Sequence, residues 1–344
     1  MAYLTGDGVT TYATAQIPGR YTVLSAAATV GSPGVYGTGQ YISVAASGSG
    51  LTGCLKLLPA AVTTTIIWSG RIYIANATPA VTLLVFLDPS FGIQGTLSVD
   101  GTGALKYISG SNTYASSAGS IPQQSWQRLQ ILITLSDSGA GVVTVNLGTP
   151  GTQILHATSA TTAVTTAGVG SYFLQGFGNG PVRFADMLVM DTTTAVNNAF
   201  FTTDPVAVPH MPSANGRVNN FGVFPGSDQN WQAVDEIPPD GDTSFVFSSN
   251  IGDIDAYQQP SFTGSATIYA VNALAYARID SAGGSRTLAV GVGNGSTETF
   301  GTGMVFASTS YLYAETPLNE NPETSAPWAA ADFSTLQVAI KVTA

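Results

Sequence analysis

The side chains best able to move a proton at neutral pH are two histidines, His156 and His210. His156 sits in a Thr- and Ser-rich stretch and His210 between Pro209 and Pro212, and neither has a G-x-S-x-G elbow or an H-E-x-x-H run to work with. Both read as exposed or locally hydrogen-bonded residues. Carboxylates are more numerous: Asp235, Glu236, Asp240 and Asp242 lie close together and are followed by Asp253 and Asp255. Alternate oxygens in such a turn could hold Ca2+, with Asp240, Asp242 and Asp255 as ligands. Their spacing matches no EF-hand loop, so the sequence favours turn and capping aspartates, and no cofactor is expected. Four aromatic residues, Tyr107, Tyr114, Tyr172 and Phe177, fall in or near expected loops, where they could stack on a sugar or meet a protein. Trp68 and Trp126 stand at strand positions and read as core.

A glycosidase would need two carboxyl groups held about 5 to 9.5 Å apart. The first half offers Asp7, Asp88, Asp100, Asp137, Asp186, Asp191 and Asp204, all well separated, and the E-x-D-x-x-E strand used by glucanases on jelly rolls is missing. Glycines cluster at Gly176-Phe177-Gly178-Asn179-Gly180, at Gly291-Val292-Gly293-Asn294-Gly295 and at Gly301-Thr302-Gly303. No Walker lysine accompanies them, and a strand rather than a helix follows Gly180, so they read as tight turns. The chain is expected to be non-enzymatic.

Composition sets the elements that would position these groups. Only 9% of the residues are charged, against about 25% in an average soluble domain. With 39 Gly, 18 Pro and an abundance of Ser, Thr and Ala, short β-branched strands and turns are favoured over helices. The net charge is −10 and the ten Lys and Arg are scattered singly, which excludes a phosphate-tracking groove and so a nucleic-acid partner. Cys54 is the only cysteine, so no internal disulfide forms and a reducing cytoplasm suits folding. The start, MAYLTGDGVTTYA, does not read as a secretory signal. Mean hydropathy is high at +0.23, yet the longest apolar stretch, Ala80 to Leu87, is far short of a membrane helix. The apolar surplus is expected between sheets or in subunit contacts.

Acidity divides the chain. Residues 1–205 hold six Lys/Arg and seven Asp/Glu, whereas residues 206–344 hold four and thirteen. Between them, 206–242 is dense in Pro, Gly, Asn and Asp and reads as an ordered connector anchored by Met211, Phe221, Phe224 and Trp231. In the first half Leu129, Ile131, Ile133 and Leu135 share one face at period two, and a Gly-containing loop joins them to a partner strand at Val142 to Leu147. Further strands are expected at Thr64 to Ile74, Val81 to Leu87, Gly95 to Val99, Leu105 to Ile108 and Arg183 to Met190. In the second half Ala266 to Arg278 reads as a central strand covered on both faces, with neighbours at Arg286 to Val292, Met304 to Phe306 and Leu336 to Val342. A short helix is expected near Trp328 to Thr335. The fold class is all-β: a jelly roll over 1–205, the connector 206–242 and a smaller C-terminal β-sandwich over 243–344.

The stretch Phe184 to Phe200, FADMLVMDTTTAVNNAF, carries a resemblance. It is similar to the closing strand of concanavalin A-like, laminin-G-like jelly rolls in structural proteins of tailed bacteriophages and prophages, which read D-D-L/V-x-V-x-D, a turn, then N-N-x-F-L-G. Asp186, Leu188, Val189, Asp191, Asn197, Asn198 and Phe200 match, while Ala185 replaces the first Asp and Phe201-Thr202 replaces Leu-Gly. Pro212 to Gly216 resembles P-x-A-D-G, and Trp231 to Val246, WQAVDEIPPDGDTSFV, resembles W-x-x-V-D-E-x-P-P-x-x-D-T-x-Y-V. Gly252 to Tyr257, Tyr276 to Gly283, Asn321-Pro322 and Trp328 follow in the same order, so the resemblance spans nearly the whole chain. It implies a non-enzymatic virion component, on the tail or decorating the head, assembled in the host cytoplasm and packed against capsid or tail proteins and copies of itself. Asp235 and Asp242 would then be turn and cap residues and Trp231 a pin between domains. Small polar side chains suit large ordered contacts, and a homotrimer is the expected assembly. A glycan-binding receptor or adhesin module, using the loop aromatics against a host surface glycan, is the alternative, and a polysaccharide hydrolase the weaker one.

Overall fold

The computed structural model describes residues 3–9, 13–23, 28–34, 40–45, 53–76, 80–177, 181–226, 229–262 and 265–344. The chain forms two compact units, Met1–Thr10 with Tyr21–Ala207, and Thr11–Arg20 with Val208–Ala344.

In the first unit the strands are β1 (Tyr3–Asp7), β2 (Thr22–Val23), β3 (Ala28–Gly31), β4 (Tyr41–Val44), β5 (Gly53–Val62), β6 (Thr65–Ile74), β7 (Ala80–Leu87), β8 (Ile93–Asp100), β9 (Leu105–Ser109), β10 (Asn112–Ala115), β11 (Trp126–Thr134), β12 (Gly141–Gly148), β13 (Gly151–Ala160), β14 (Val169–Phe177) and β15 (Val182–Asp191). Sheet I runs β13-β12-β11-β6-β15-β4-β3, with β1 also on β15, and sheet II runs β10-β9-β8-β7-β14-β5-β2. All described pairings are antiparallel, which makes a β-sandwich of the jelly-roll kind. Period two explains it: Leu129, Ile131 and Ile133 of β11 stand opposite Gly70, Trp68 and Ile66 of β6 and are all buried. Burying each of these side chains is worth about 1.5 to 3 kcal/mol. The hairpin expected at Val142 to Leu147 is present as β11-β12, with Leu129 opposite Leu147. The other face of β6 is largely covered too, since Ile67, Ser69 and Arg71 are buried.

The second unit contains β16 (Ala214–Asn219), β17 (Gly222–Phe224), β18 (Phe245–Phe247), β19 (Ile254–Gln258), β20 (Val271–Ala277), β21 (Arg286–Gly293), β22 (Glu298–Phe300), β23 (Met304–Phe306), β24 (Leu312–Leu318) and β25 (Gln337–Val342). One sheet runs β16-β19-β25-β21-β22 with β23 also on β21, and β17-β18 and β20-β24 form two ribbons. Its core gathers Tyr257, Val290, Val292, Phe306, Trp328, Phe333 and Ile340.

Four readings are corrected here. Residues 206–242 do not form a separate connector: β16 pairs with β19, so the segment supplies an edge strand of the second unit's sheet. Ala266 to Arg278 is not a central strand, because only Val271–Ala277 is extended and it pairs with β24 alone in its ribbon. The helix near Trp328 is a 3₁₀ turn, Ala330–Ser334. Residues 11–20, assigned to the jelly roll, belong to the second unit. There Arg20 is buried against Glu315 at 2.8 Å, and Gln16 Nε2 donates to the Pro239 carbonyl at 2.7 Å.

Candidate functional site

The outer face of sheet I, turned away from the sandwich core, gathers the unusual chemistry of the first unit. Arg71 and Arg128 are direct cross-strand partners on β6 and β11, so both guanidinium groups rise from the same face. Asp186 joins them from β15 at a β-bulge between Ala185 and Leu188, where its φ of +47° places it in the left-handed region that Asp tolerates better than most residues. Arg71 pairs with Asp204 and lies 3.4 Å from Asp186, and Arg128 Nε donates to Asp204 at 2.9 Å. Arg128 also donates to the Asp186 carbonyl at 2.7 Å and to the Pro205 carbonyl.

This cluster fastens a strap. Gln130, one step along the same face of β11, accepts from the Phe201 N–H at 2.7 Å and donates to the Phe201 carbonyl at 3.1 Å, and Ala207 N–H donates to Asp186 at 3.1 Å. Residues 201–207 are thereby tied to the sheet. Burial raises the Asp186 carboxyl above its ordinary range, against the opposing pull of the Ala207 N–H and the two arginines. Near it Asp7 accepts from Tyr21 Oη at 2.6 Å. The described contacts of the cluster tie the backbone of the strap to the sheet.

One strand position further along, the same face changes character. Trp126, Tyr73, Arg183 and Ser43 form one cross-strand row on β11, β6, β15 and β4, and Tyr41 lies two residues from Ser43 on the same face. All five are half-buried. The Arg183 Cζ lies 4.7 Å from the Tyr73 ring centroid and 4.9 Å from that of Tyr41. Trp126 tilts against the same two rings at 5.7 and 5.8 Å. Each cation–π contact is worth about 1 kcal/mol. Arg183 makes no ion pair among the described residues, and its Nε is shut from solvent with no acceptor. This row is the candidate binding site.

The residues singled out in the sequence lie elsewhere. Tyr107 and Tyr172 are not in loops: they sit fully buried on β9 and β14, and Tyr107 Oη donates to the Thr162 carbonyl at 2.6 Å. Gly95 leaves the room its ring needs, since a Cβ there would overlap it. Neither tyrosine can meet a glycan. Tyr114 is half-buried on β10 and accepts from Thr161 N–H at 2.8 Å. Phe177 ends β14, and its side chain lies outside the described residues. Of the two tryptophans read as core, Trp68 is fully buried and Trp126 is in the row above.

The calcium candidates do not converge, and among the described residues no three His, Cys, Asp or Glu side chains form a metal-binding group. Asp240 accepts from Ser244 at 3.1 Å. Asp242 accepts from Tyr311 Oη at 2.6 Å and Arg278 Nη2 at 2.8 Å, contacts that hold its carboxyl below the usual range. Asp255 is fully buried, accepts from Tyr257 Oη at 2.7 Å and Asn230 Nδ2 at 2.8 Å, and is raised by burial. Trp231 packs against the second unit's own core, and Asp235 is half-buried beside Glu236, whose carboxyl burial raises. Of the histidines, His156 Nδ1 lies 2.9 Å from Thr144 Oγ1, and His210 stacks on Phe262 and tilts against Phe333, with its pKa lowered by burial. Burial pushes the Cys54 thiol up to about 12, leaving it unreactive at neutral pH.

The row was missed because Tyr41, Tyr73, Trp126 and Arg183 are distant in sequence. The available signal was parity, since Trp126 and Arg183 fall out of phase with the core residues of their strands.

Among the described residues no helix is long and apolar enough to cross a membrane. No protein-family model matches the sequence, and no curated protein matches it. Solved structures similar in chain path include an endo-β-1,4-glucuronan lyase from the fungus Trichoderma reesei, at 8% identity and TM-score 0.38, covering 47% of this chain and 86% of that one. An alginate lyase is similar at 11% identity and TM-score 0.37, covering 55% and 97%, and a botulinum neurotoxin binding domain at 10% and 0.33, covering 47% and 41%. These are distant likenesses, and no residue role is taken from them.

Proposed function

We propose that the chain is a non-enzymatic structural protein of a tailed-phage virion, placed on the tail or the head, that works by packing against capsid or tail neighbours and copies of itself as a homotrimer. The observation that supports this reading is the internal use of the first unit's charge. Arg71, Arg128, Asp186 and Asp204 bind each other and a backbone strap, so scarce ionisable groups stiffen a sheet instead of facing a substrate. Asp186 belongs to the stretch that carries the phage resemblance. The test is proteomic and structural: particles purified from the encoding phage should contain the chain at fixed, multiple copy number, and light scattering of the free chain should give a trimer. A chain absent from particles overturns the reading.

A second reading, a saccharide-binding module of the same virion, is favoured by one observation: the half-exposed row of Trp126, Tyr73 and Tyr41 on sheet I. Saccharide rings stack on such aromatic faces through their apolar C–H surfaces. Tyr107 and Tyr172 are fully buried and take no part in it.

A further inference from the structure

The saccharide reading leaves one member of the row unexplained. Arg183 is a permanent cation held between two tyrosine rings, with no carboxylate beside it among the described residues and an orphaned Nε. Elsewhere in this unit arginines are paired: Arg71 and Arg128 share Asp204. Leaving a half-buried guanidinium unneutralised costs desolvation free energy. A guanidinium beside aromatic rings still has N–H donors along its edge for an anion, so ring contact and anion binding are compatible.

We infer that Arg183 makes this row a receptor for an acidic saccharide, a pyranose bearing a carboxylate, with the sugar ring against Trp126 and the tyrosines and the carboxylate on the guanidinium. The aromatic neighbours argue against a simple inorganic anion, which has no apolar face to stack. Among the described residues neither the Tyr41 nor the Tyr73 hydroxyl is hydrogen-bonded to the protein, and with Ser43 Oγ they offer polar partners for sugar hydroxyls. Residues 1–205 hold six Lys/Arg and seven Asp/Glu, so this unit's own net charge opposes an anion only weakly.

This inference rests on the saccharide reading, and titration calorimetry on the full chain separates the two. The probes are a galacturonate tetrasaccharide, a neutral galactose tetrasaccharide of the same linkage, and inorganic sulfate. The acidic sugar is expected to bind about 10- to 100-fold tighter than the neutral one, the worth of one charge-assisted contact. Arg183→Gln should erase that difference, and Trp126→Ala should weaken both sugars. Ser43→Asp sets a carboxylate opposite Arg183 and should erase the difference with the guanidinium retained, which guards against misfolding of Arg183→Gln. Equal binding of both sugars, or a preference unchanged in both variants, overturns the inference and leaves the saccharide reading standing. Sulfate displacing the acidic sugar from a chain that ignores the neutral sugar is expected only at high concentration; sulfate binding as tightly as the sugar overturns it. Binding of neither sugar overturns both.

Discussion

In the first unit the segment 201–207 is fastened to sheet I by two arginines, two aspartates and one glutamine, whereas in the second unit the irregular stretch around Asn230 is fastened by amides meeting a single buried carboxylate. Asn230 Nδ2 donates both to Asp255 and to the Phe221 carbonyl, and Trp231 N–H donates to Asn215 Oδ1. The same task, holding non-repetitive backbone against a sheet, is met once with opposed charges and once with neutral donors. Charge pairs tolerate loss badly, because a surviving partner is left buried and uncompensated; neutral amides lose one bond at a time. The first unit is therefore the more brittle of the two to single substitutions at its strap.

The largest expected effect is Arg128→Met, which takes away one of the two arginines on Asp204 and the Arg128 donors to the Asp186 and Pro205 carbonyls. Losing these three charge-assisted hydrogen bonds should lower stability by about 3 to 5 kcal/mol, read by urea unfolding, with hydrogen exchange accelerating in β6 and β11. Gln130→Ala removes both bonds to Phe201 and should cost about 1 to 3 kcal/mol with faster exchange confined to 198–207. A loss as large as that of Arg128→Met would erase the distinction between charged and neutral ties.

For the second unit the sharper probe is pH. Burial holds the Asp255 carboxyl above its unfolded value, so the folded chain binds that proton more tightly. Acidification through the raised value stabilises the unit, the gain is complete below the ordinary carboxylate range, and it is lost again as pH rises. Asp255→Asn should flatten that slope relative to the parent chain in thermal unfolding followed from pH 7 to pH 4; parallel profiles would mean Asp255 is not the titrating group. The smallest effect is expected at Arg217→Ala, which breaks a partly exposed pair with Glu298 and should change stability by less than about 1 kcal/mol.

How much of this was legible follows from what each residue reports locally. The alternation Leu129, Ile131, Ile133 marks both a strand and its inner face, and β11 and β12 follow directly. Arg128 and Gln130 alternate with them and look solvated by the same rule, because nothing local says that a strap from 70 residues away covers that face. Tyr107 was misjudged because turn-forming glycines flank it, whereas its ring fills the space left by Gly95 across the sheet. Residues 206–242 are rich in Pro and Asn and so lack a periodic signature, yet β16 needs only backbone pairing with β19 to join a sheet. The strand expected at Arg183 to Met190 is present as β15, but the Arg183 row depends on four strands meeting and is written nowhere in a single window.

The passage of residues 11–20 through the second unit has a consequence for anyone dissecting the molecule. A fragment cut before Val208 begins without the helix Ile17–Arg20, leaving Glu315 without its cation and Tyr313 without the guanidinium above its ring. The amino-terminal fragment carries that orphaned helix along as baggage. A clean excision would have to graft the decapeptide back by a new linker, because the second unit is discontinuous in sequence.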